Sequence, residues 1–191
     1  MTKSNIFIIS GPSGAGEDSI IEGLKSHLPI ERVITTTTRK MRQGDSQGNP
    51  YYFISQETFQ KKLDADDFAE YAQEYNSNWY GVTKEELDRV ASSKKIGIWK
   101  IEYKGVITAK EKFPEIKSIY IAAPSLEILE KRIRRRNKNV SDEYIGERMN
   151  YTKEWMKYEN IYDYKIINEE GELEKSIQNV VKIIKYNAEL N

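Results

Sequence analysis

The sequence predicts an α/β fold, a parallel sheet with helices on both faces. Three observations carry that expectation. Along its 191 residues, short β-branched apolar runs alternate with stretches whose apolar residues recur at helical spacing, the pattern of parallel strands joined by crossover helices. The first such unit is Ile6 to Ile9, then Gly11-Pro-Ser-Gly-Ala-Gly16, then a helix start. In that layout, glycines let successive backbone N–H groups curl around an anion at a helix N-terminus. A polar, aromatic-rich middle at about 36–92 interrupts the alternation and reads as an inserted substrate lobe.

Composition narrows the class. The length suggests one domain, large enough for a buried core. The 30 basic and 30 acidic residues cancel, so no global field favours nucleic acid or an anionic membrane. There is no cysteine, which excludes a disulfide framework and a thiolate metal site, and no protein-held metal is predicted. Apolar runs are too short to span a bilayer. Met-Thr-Lys-Ser-Asn leads directly into the first strand, leaving no room for a signal peptide. A soluble, cytoplasmic protein is expected, with no membrane or nucleic-acid partner. The single histidine, His27, lies on the first helix away from the glycine loop and reads as a helix residue rather than a catalyst.

The elements follow in order. Ile20, Ile21, Leu24 and Leu28 share one face of the first helix, which Pro29 ends. Residues 32–38 are β-branched and read as one strand running to Arg39. Residues 39–50, with Gly44, Gly48 and Pro50, read as a loop. Tyr51 to Ile54 is a short strand, and Ser55 and Glu57 introduce a helix carrying Phe59 and Leu63. Phe68 to Tyr75 and Trp79 to Val82 suggest a small antiparallel pair, whose Tyr and Trp side chains read as packing rather than base stacking. Thr83 is the predicted N-cap of the next helix, with Glu86 completing a capping box. Ile96 to Glu102 reads as a strand, then comes a helix to Phe113, and Lys117 to Ala123 is a buried strand. Ser125 opens a helix into the basic segment 131–138, and Ser141 caps another through about Tyr158. Tyr164 to Asn168 is the last strand, and 171–187 form a closing amphipathic helix.

The glycine turn matches the phosphate-binding loop G-x-x-x-x-G-K-S/T up to its last two positions. There Glu17 stands for Lys and Asp18 for Ser or Thr, with Ser19 next. A carboxylate aimed at a triphosphate repels it, so these positions set the central question of the sequence.

Six segments, in order and over nearly the whole chain, resemble the guanylate kinase family. They are Gly11 to Gly16; Thr37-Thr-Arg39 with Arg42, Gly44-Asp45 and Tyr51-Tyr-Phe53; Phe68-Ala-Glu70-Tyr-Ala72 with Trp79-Tyr-Gly81; Pro124-Ser125-Leu126 through Arg136; Arg148; and Tyr162-Asp-Tyr164 with Asn168. The resemblance implies one domain over 1–191, with a P-loop NTPase-type core at 1–35 and 93–191. It also implies a small mixed GMP-binding lobe at about 36–92 and a helical lid at about 126–155. The implied reaction is transfer of the ATP γ-phosphoryl to GMP with Mg2+.

The implied phosphate loop is Gly11, Ser13, Gly14, Ala15, Gly16, Glu17, Asp18 and Ser19. Arg39, Arg42, Tyr51 and Tyr80 would hold the GMP phosphate, since arginine forks onto phosphate oxygens and phenols donate single bonds. Thr35 would meet the guanine oxygen. Glu70 would accept from the guanine ring N–H and amino group, a donor pair that adenine lacks; otherwise it is a solvated acid. Glu102 and Asp45 replace a family Asp and Glu, and Val82 replaces a small hydroxyl residue. Arg132, Arg136 and Arg148 are the implied lid arginines, against the plainer reading of a solvated basic helix face. Asn168 is either an adenine contact or a strand-end turn residue.

Lys100 takes the place of a family Asp at a strand end beside the phosphate loop. A lysine has become an acid and a nearby acid a lysine. Two readings stay open: a structural ion pair in a dead site that leaves a GMP- or phosphoprotein-binding module, or a charge swap in which Lys100 delivers the missing ammonium.

Overall fold

The computed structural model describes residues 4–73, 77–136 and 141–188. The chain runs β1 (Ile6–Ser10), α1 (Glu17–Leu24), β2 (Ile30–Arg32), β3 (Thr35–Thr37), β4 (Ser46–Gln47), β5 (Pro50–Phe53) and α2 (Gln56–Asp64). It continues through β6 (Phe68–Gln73), β7 (Trp79–Thr83), α3 (Lys84–Ala91), β8 (Ile96–Trp99), α4 (Tyr103–Lys112) and β9 (Lys117–Ala122). Last come α5 (Leu126–Arg136), α6 (Asp142–Met156), β10 (Tyr164–Ile167) and α7 (Leu173–Asn187).

Five strands form the core sheet in the order β10-β9-β1-β8-β2, all parallel. Every residue of β1 is buried, as a central parallel strand requires. Its alternate side chains feed two apolar layers. Phe7 and Ile9 pack with Ile21 and Leu24 of α1 and Val180 and Ile184 of α7. Ile6 and Ile8 pack on the other face with Val90 of α3 and Val106 of α4. Each such burial stabilises the fold by about 1.5–3 kcal/mol. These layers fix where β1 and β8 end, and the site lies at those ends.

The second sheet is mixed, in the order β4-β5-β3-β7-β6. Its β3 pairs parallel with β5 and antiparallel with β7. The β6–β7 pair is antiparallel, as the sequence suggests, with an irregularity between Phe68 and Glu70. Glu74 and Tyr75, the predicted end of that strand, lie outside the described residues, as do Asn137 and Lys138 of the basic segment.

Four expectations need correction. Residues 39–50 are not all loop, since Ser46–Gln47 form β4 and β5 begins at Pro50. Residues 32–38 are not one strand. The run divides between the sheets, with β2 in the core and β3 in the second sheet. At the break, Val33 N–H donates to Ile98 O at 2.9 Å, and Ile34 N–H donates to the Glu86 carboxylate at 2.7 Å. A β-branched run marks extended backbone but not the sheet it joins. The first helix stops at Leu24, and the chain tightens through i→i−3 bonds from Lys25, Ser26 and His27 while Leu28 stays buried. Finally, the Thr83 hydroxyl does accept from Glu86 N–H, but the Glu86 side chain turns to Ile34 and Arg89 instead of closing the box. Thr83→Ala is expected to lower stability by about 1 kcal/mol, read as a lower urea midpoint at unchanged m-value.

Candidate functional site

The glycine loop links β1 to α1. Gly14 and Gly16 adopt φ of 89° and 98°, left-handed values that glycine adopts without strain. Gly11 is required by close approach, since a Cβ there would lie 2.4 Å from Ile121 O of β9. Gly16 caps α1 with no side-chain bond, which leaves amides at the helix start to serve an anion.

A cleft of about 330 Å³ opens on one side of the loop. Gly11, Ser13, Glu17 and Asp18 line it together with Thr35, Arg39, Arg42, Tyr51, Glu70, Tyr80, Lys100, Glu102, Arg136 and Arg148. A second cleft, of about 520 Å³, is lined by Gly14, Gly16, Glu17, Asp18, Ser19, Arg132, Arg136 and Asn168. Ala15 is fully buried and contributes its carbonyl, which accepts from Asn168 Nδ2 at 2.8 Å.

At the junction of the clefts, Lys100 leaves the end of β8 and its Nζ lies 3.3 Å from Glu17 Oε1 and 2.6 Å from Asp18 Oδ2. Burial opposes its charge, but the two carboxylates outweigh that and hold the ammonium above the ordinary lysine value. Charge-assisted contacts at this distance are strong.

Just beyond β3 of the second sheet, Arg39 is 9% exposed. It donates to Asp45 Oδ2 at 2.8 Å, and its guanidinium lies 5.3 Å from both the Tyr51 and Phe53 ring centroids. Asp45 also accepts from Arg42 N–H at 2.9 Å. That N–H, opposed by desolvation and reinforced by Arg39, holds its carboxyl below the usual carboxylate value. Asp45 therefore orients the Arg39 guanidinium and anchors the Arg42 backbone, and does not itself line the cleft.

Glu70 is 4% exposed. Among the described residues no donor bonds its carboxylate, and burial, opposed by Lys112, pushes its carboxyl up to about 7. Gly105 makes room for it, because a Cβ there would stand 2.7 Å from Glu70 Oε1. Glu102 precedes α4 and accepts from the Tyr151 hydroxyl.

Two residues sit elsewhere than the resemblance implied. Val82 is fully buried in the core layer with Ala69 and Leu87, off the cleft wall, and Thr83 is engaged in capping α3. Arg132 braces the loop instead of hanging over it, donating to Gly14 O at 3.3 Å, Ala15 O at 3.5 Å and Asn168 O at 2.8 Å. Arg136 reaches Ser13 Oγ at 3.2 Å, and Arg148 donates to Tyr144 Oη at 3.1 Å. Sequence reasoning missed Arg32, Lys104, Gly105 and Tyr151, which also line the first cleft.

Among the described residues, no three His, Cys, Asp or Glu side chains converge to hold a metal. Magnesium does not need such a cage, since it binds through one or two carboxylates plus phosphate oxygens and water. The hard oxygens of Asp18 and Ser19 at the start of α1 suit it and would face an ion carried by a triphosphate. Among the described residues, no helix is long and apolar enough to cross a membrane.

A parallel sheet, a glycine loop running into α1 and a cleft on each side define a P-loop α/β protein. The family model described as "Guanylate kinase" matches residues 3–187, and the chain belongs to that family. It is 36% identical over 185 residues to the guanylate kinase of Fusobacterium nucleatum, covering 96% of this chain and 97% of that one. It is 37% identical to the guanylate kinase of Buchnera aphidicola subsp. Baizongia pistaciae, covering 97% and 89%. The crystal structure of guanylate kinase from Anaplasma phagocytophilum superposes with a TM-score of 0.74 at 25% identity, covering 97% and 88%. A shikimate kinase from Bacteroides thetaiotaomicron, at TM-score 0.51 and 12% identity over 94% and 98% of the two chains, shares the fold.

Proposed function

We propose that the protein transfers the γ-phosphoryl group of ATP, bound with magnesium, to the phosphate of GMP, and that Lys100 supplies the ammonium absent from position 17. The observation that carries this reading is the placement of Lys100 Nζ against both Glu17 and Asp18 at the loop. Phosphoryl transfer depends chiefly on positioning and charge stabilisation, and a cation delivered from a neighbouring strand can serve that end. In this reading Arg39, Arg42, Tyr51 and Tyr80 hold the acceptor phosphate, Thr35 and Glu70 read guanine, and Glu102 supports the base. Arg136 and Arg148 come from the lid. Asn168 Oδ1, a buried atom without a hydrogen-bond partner among the described residues, would accept from the adenine amino group. The acceptor phosphate is already anionic, so no general base is needed.

A second reading draws on the same ion pair. An ammonium engaged by two carboxylates is less available to a phosphate, which favours a GMP-binding module with little turnover. ADP release measured with GMP, AMP, dGMP or no acceptor separates the two. GMP-dependent release is the expected result; its absence, with GMP binding retained, would leave the binding module. Failure to bind GMP would remove both.

Acidity supplies a further prediction. Glu70 must be ionised to accept two guanine donors, and its carboxyl titrates at about 7. Affinity for GMP is therefore expected to fall as pH drops below about 7, by up to roughly tenfold per unit, and to level off above it. Guanosine, which has no phosphate to titrate, should show the same slope in calorimetry; a flat profile would contradict the role. Stability runs the opposite way. Because the folded value exceeds the ordinary 4.5, this group's contribution is complete at low pH and is lost as pH rises through about 7.

A further inference from the structure

The loop carries two acids, Glu17 and Asp18, against one lysine. The balance is restored from β2. Arg32 is its last residue and pairs with Ile98, two positions before Lys100, so the two cations issue from adjacent strand ends. The backbone there is well anchored. Val33 N–H donates to Ile98 O at 2.9 Å, Ile34 N–H to Glu86 at 2.7 Å, and Arg89 donates to the Arg32 carbonyl at 3.2 Å. Glu31, the adjacent acid, is engaged by Arg89.

The Arg32 side chain lines the first cleft with Glu17, Asp18 and Lys100. Its Nη2 lies 3.8 Å from Asp18 Oδ1, close enough for ionic attraction and too far for a hydrogen bond. Among the described residues, its guanidinium makes no hydrogen bond. Its donors thus stand ready beside the loop, and a guanidinium's paired donors match phosphate oxygens.

We infer that Arg32 is a second phosphate-binding cation of the loop, contacting phosphoryl oxygens of a nucleoside triphosphate alongside Lys100. This rests on the reading of the loop as a nucleotide site. A half-exposed partner that only neutralises Asp18 would contribute little, and the two roles can be separated.

The test is calorimetric titration of the full chain with ATP, without GMP, for the unmodified protein, Arg32→Gln, Asp18→Asn and the double variant. Urea unfolding would verify that each variant is folded. Arg32→Gln is expected to weaken ATP binding about tenfold and to leave adenosine binding unchanged. The same loss is expected when Arg32→Gln is added to Asp18→Asn, since a phosphate contact does not need the acid. No loss in that background would reduce Arg32 to a partner of Asp18 and overturn the inference. Absence of ATP binding to the unmodified protein would overturn it too. Arg32-dependent ATP binding without GMP-dependent ADP release would keep this inference and sink the transfer reading.

Discussion

Lys100→Met is expected to lower GMP-dependent ADP release by about 10²–10³-fold, the scale of removing one preorganised charge-stabilising group. Methionine keeps an unbranched stem of similar length and removes the ammonium. Two carboxylates then face the phosphates, with Arg32 Nη2 3.8 Å from Asp18 Oδ1. GMP affinity should change little, because Thr35, Arg39, Tyr51 and Glu70 lie in or beside the second sheet. The loss should therefore appear in kcat and in the KM for ATP. Glu17→Lys tests the same arrangement from the other side. It would set two ammonium groups facing each other, and lower activity is expected. A rise, or full turnover by Lys100→Met, would show that the strand-borne lysine has not taken over the task.

Glu70→Gln is the second large effect. The carboxylate is nearly enclosed, and Gly105 leaves no space beside it for a larger neighbour. Glutamine keeps the shape but brings an amide donor where guanine also donates. A lost charge-assisted pair plus an opposed donor should reduce kcat/KM for GMP by about 10²–10³-fold. The effect on AMP should be far smaller, so selectivity as well as rate would collapse. The free protein should not be destabilised, because a neutral amide removes a group whose ionised form burial disfavours. Equal losses for GMP and AMP would place Glu70 outside base recognition.

Much of this arrangement was legible in the sequence because it is local. The glycine loop, the caps Thr83 and Ser141, and the alternation of apolar runs each follow from short-range chemistry. Lys100 was placed beside Glu17 through the resemblance to a family strand end, and the structure brings the two together at 3.3 Å. What stayed hidden depends on which side chain a distant segment presents. Arg32 reads as one more polar residue in a β-branched run until β2 and β3 are seen to part company. Val82 stands where the family has a small hydroxyl residue, and in the structure it packs into the core. Arg132 sits in a basic run whose members look alike. The turn of the helix sends it to the carbonyls of the glycine loop and leaves Arg136 at Ser13.

Lys100 follows a strand that is hydrogen-bonded on both sides, to β1 and to β2. A lysine carried by a loop takes its position from that loop. This one takes it from the packing of the hydrophobic interior. Within β8, Gly97 lets β1 and α3 close in, since a Cβ there would lie 2.5 Å from Val90 Cγ1 and 2.8 Å from Ile6 Cγ1. Substitutions at Gly97 or Val90, which touch no ligand, would shift the backbone that carries the ammonium, whereas changes at Glu17 or Asp18 would act on its charge partners. Sensitivity of the ammonium's position to inherited change thus extends beyond the glycine loop to buried apolar positions, where a survey of surface residues would not look for it.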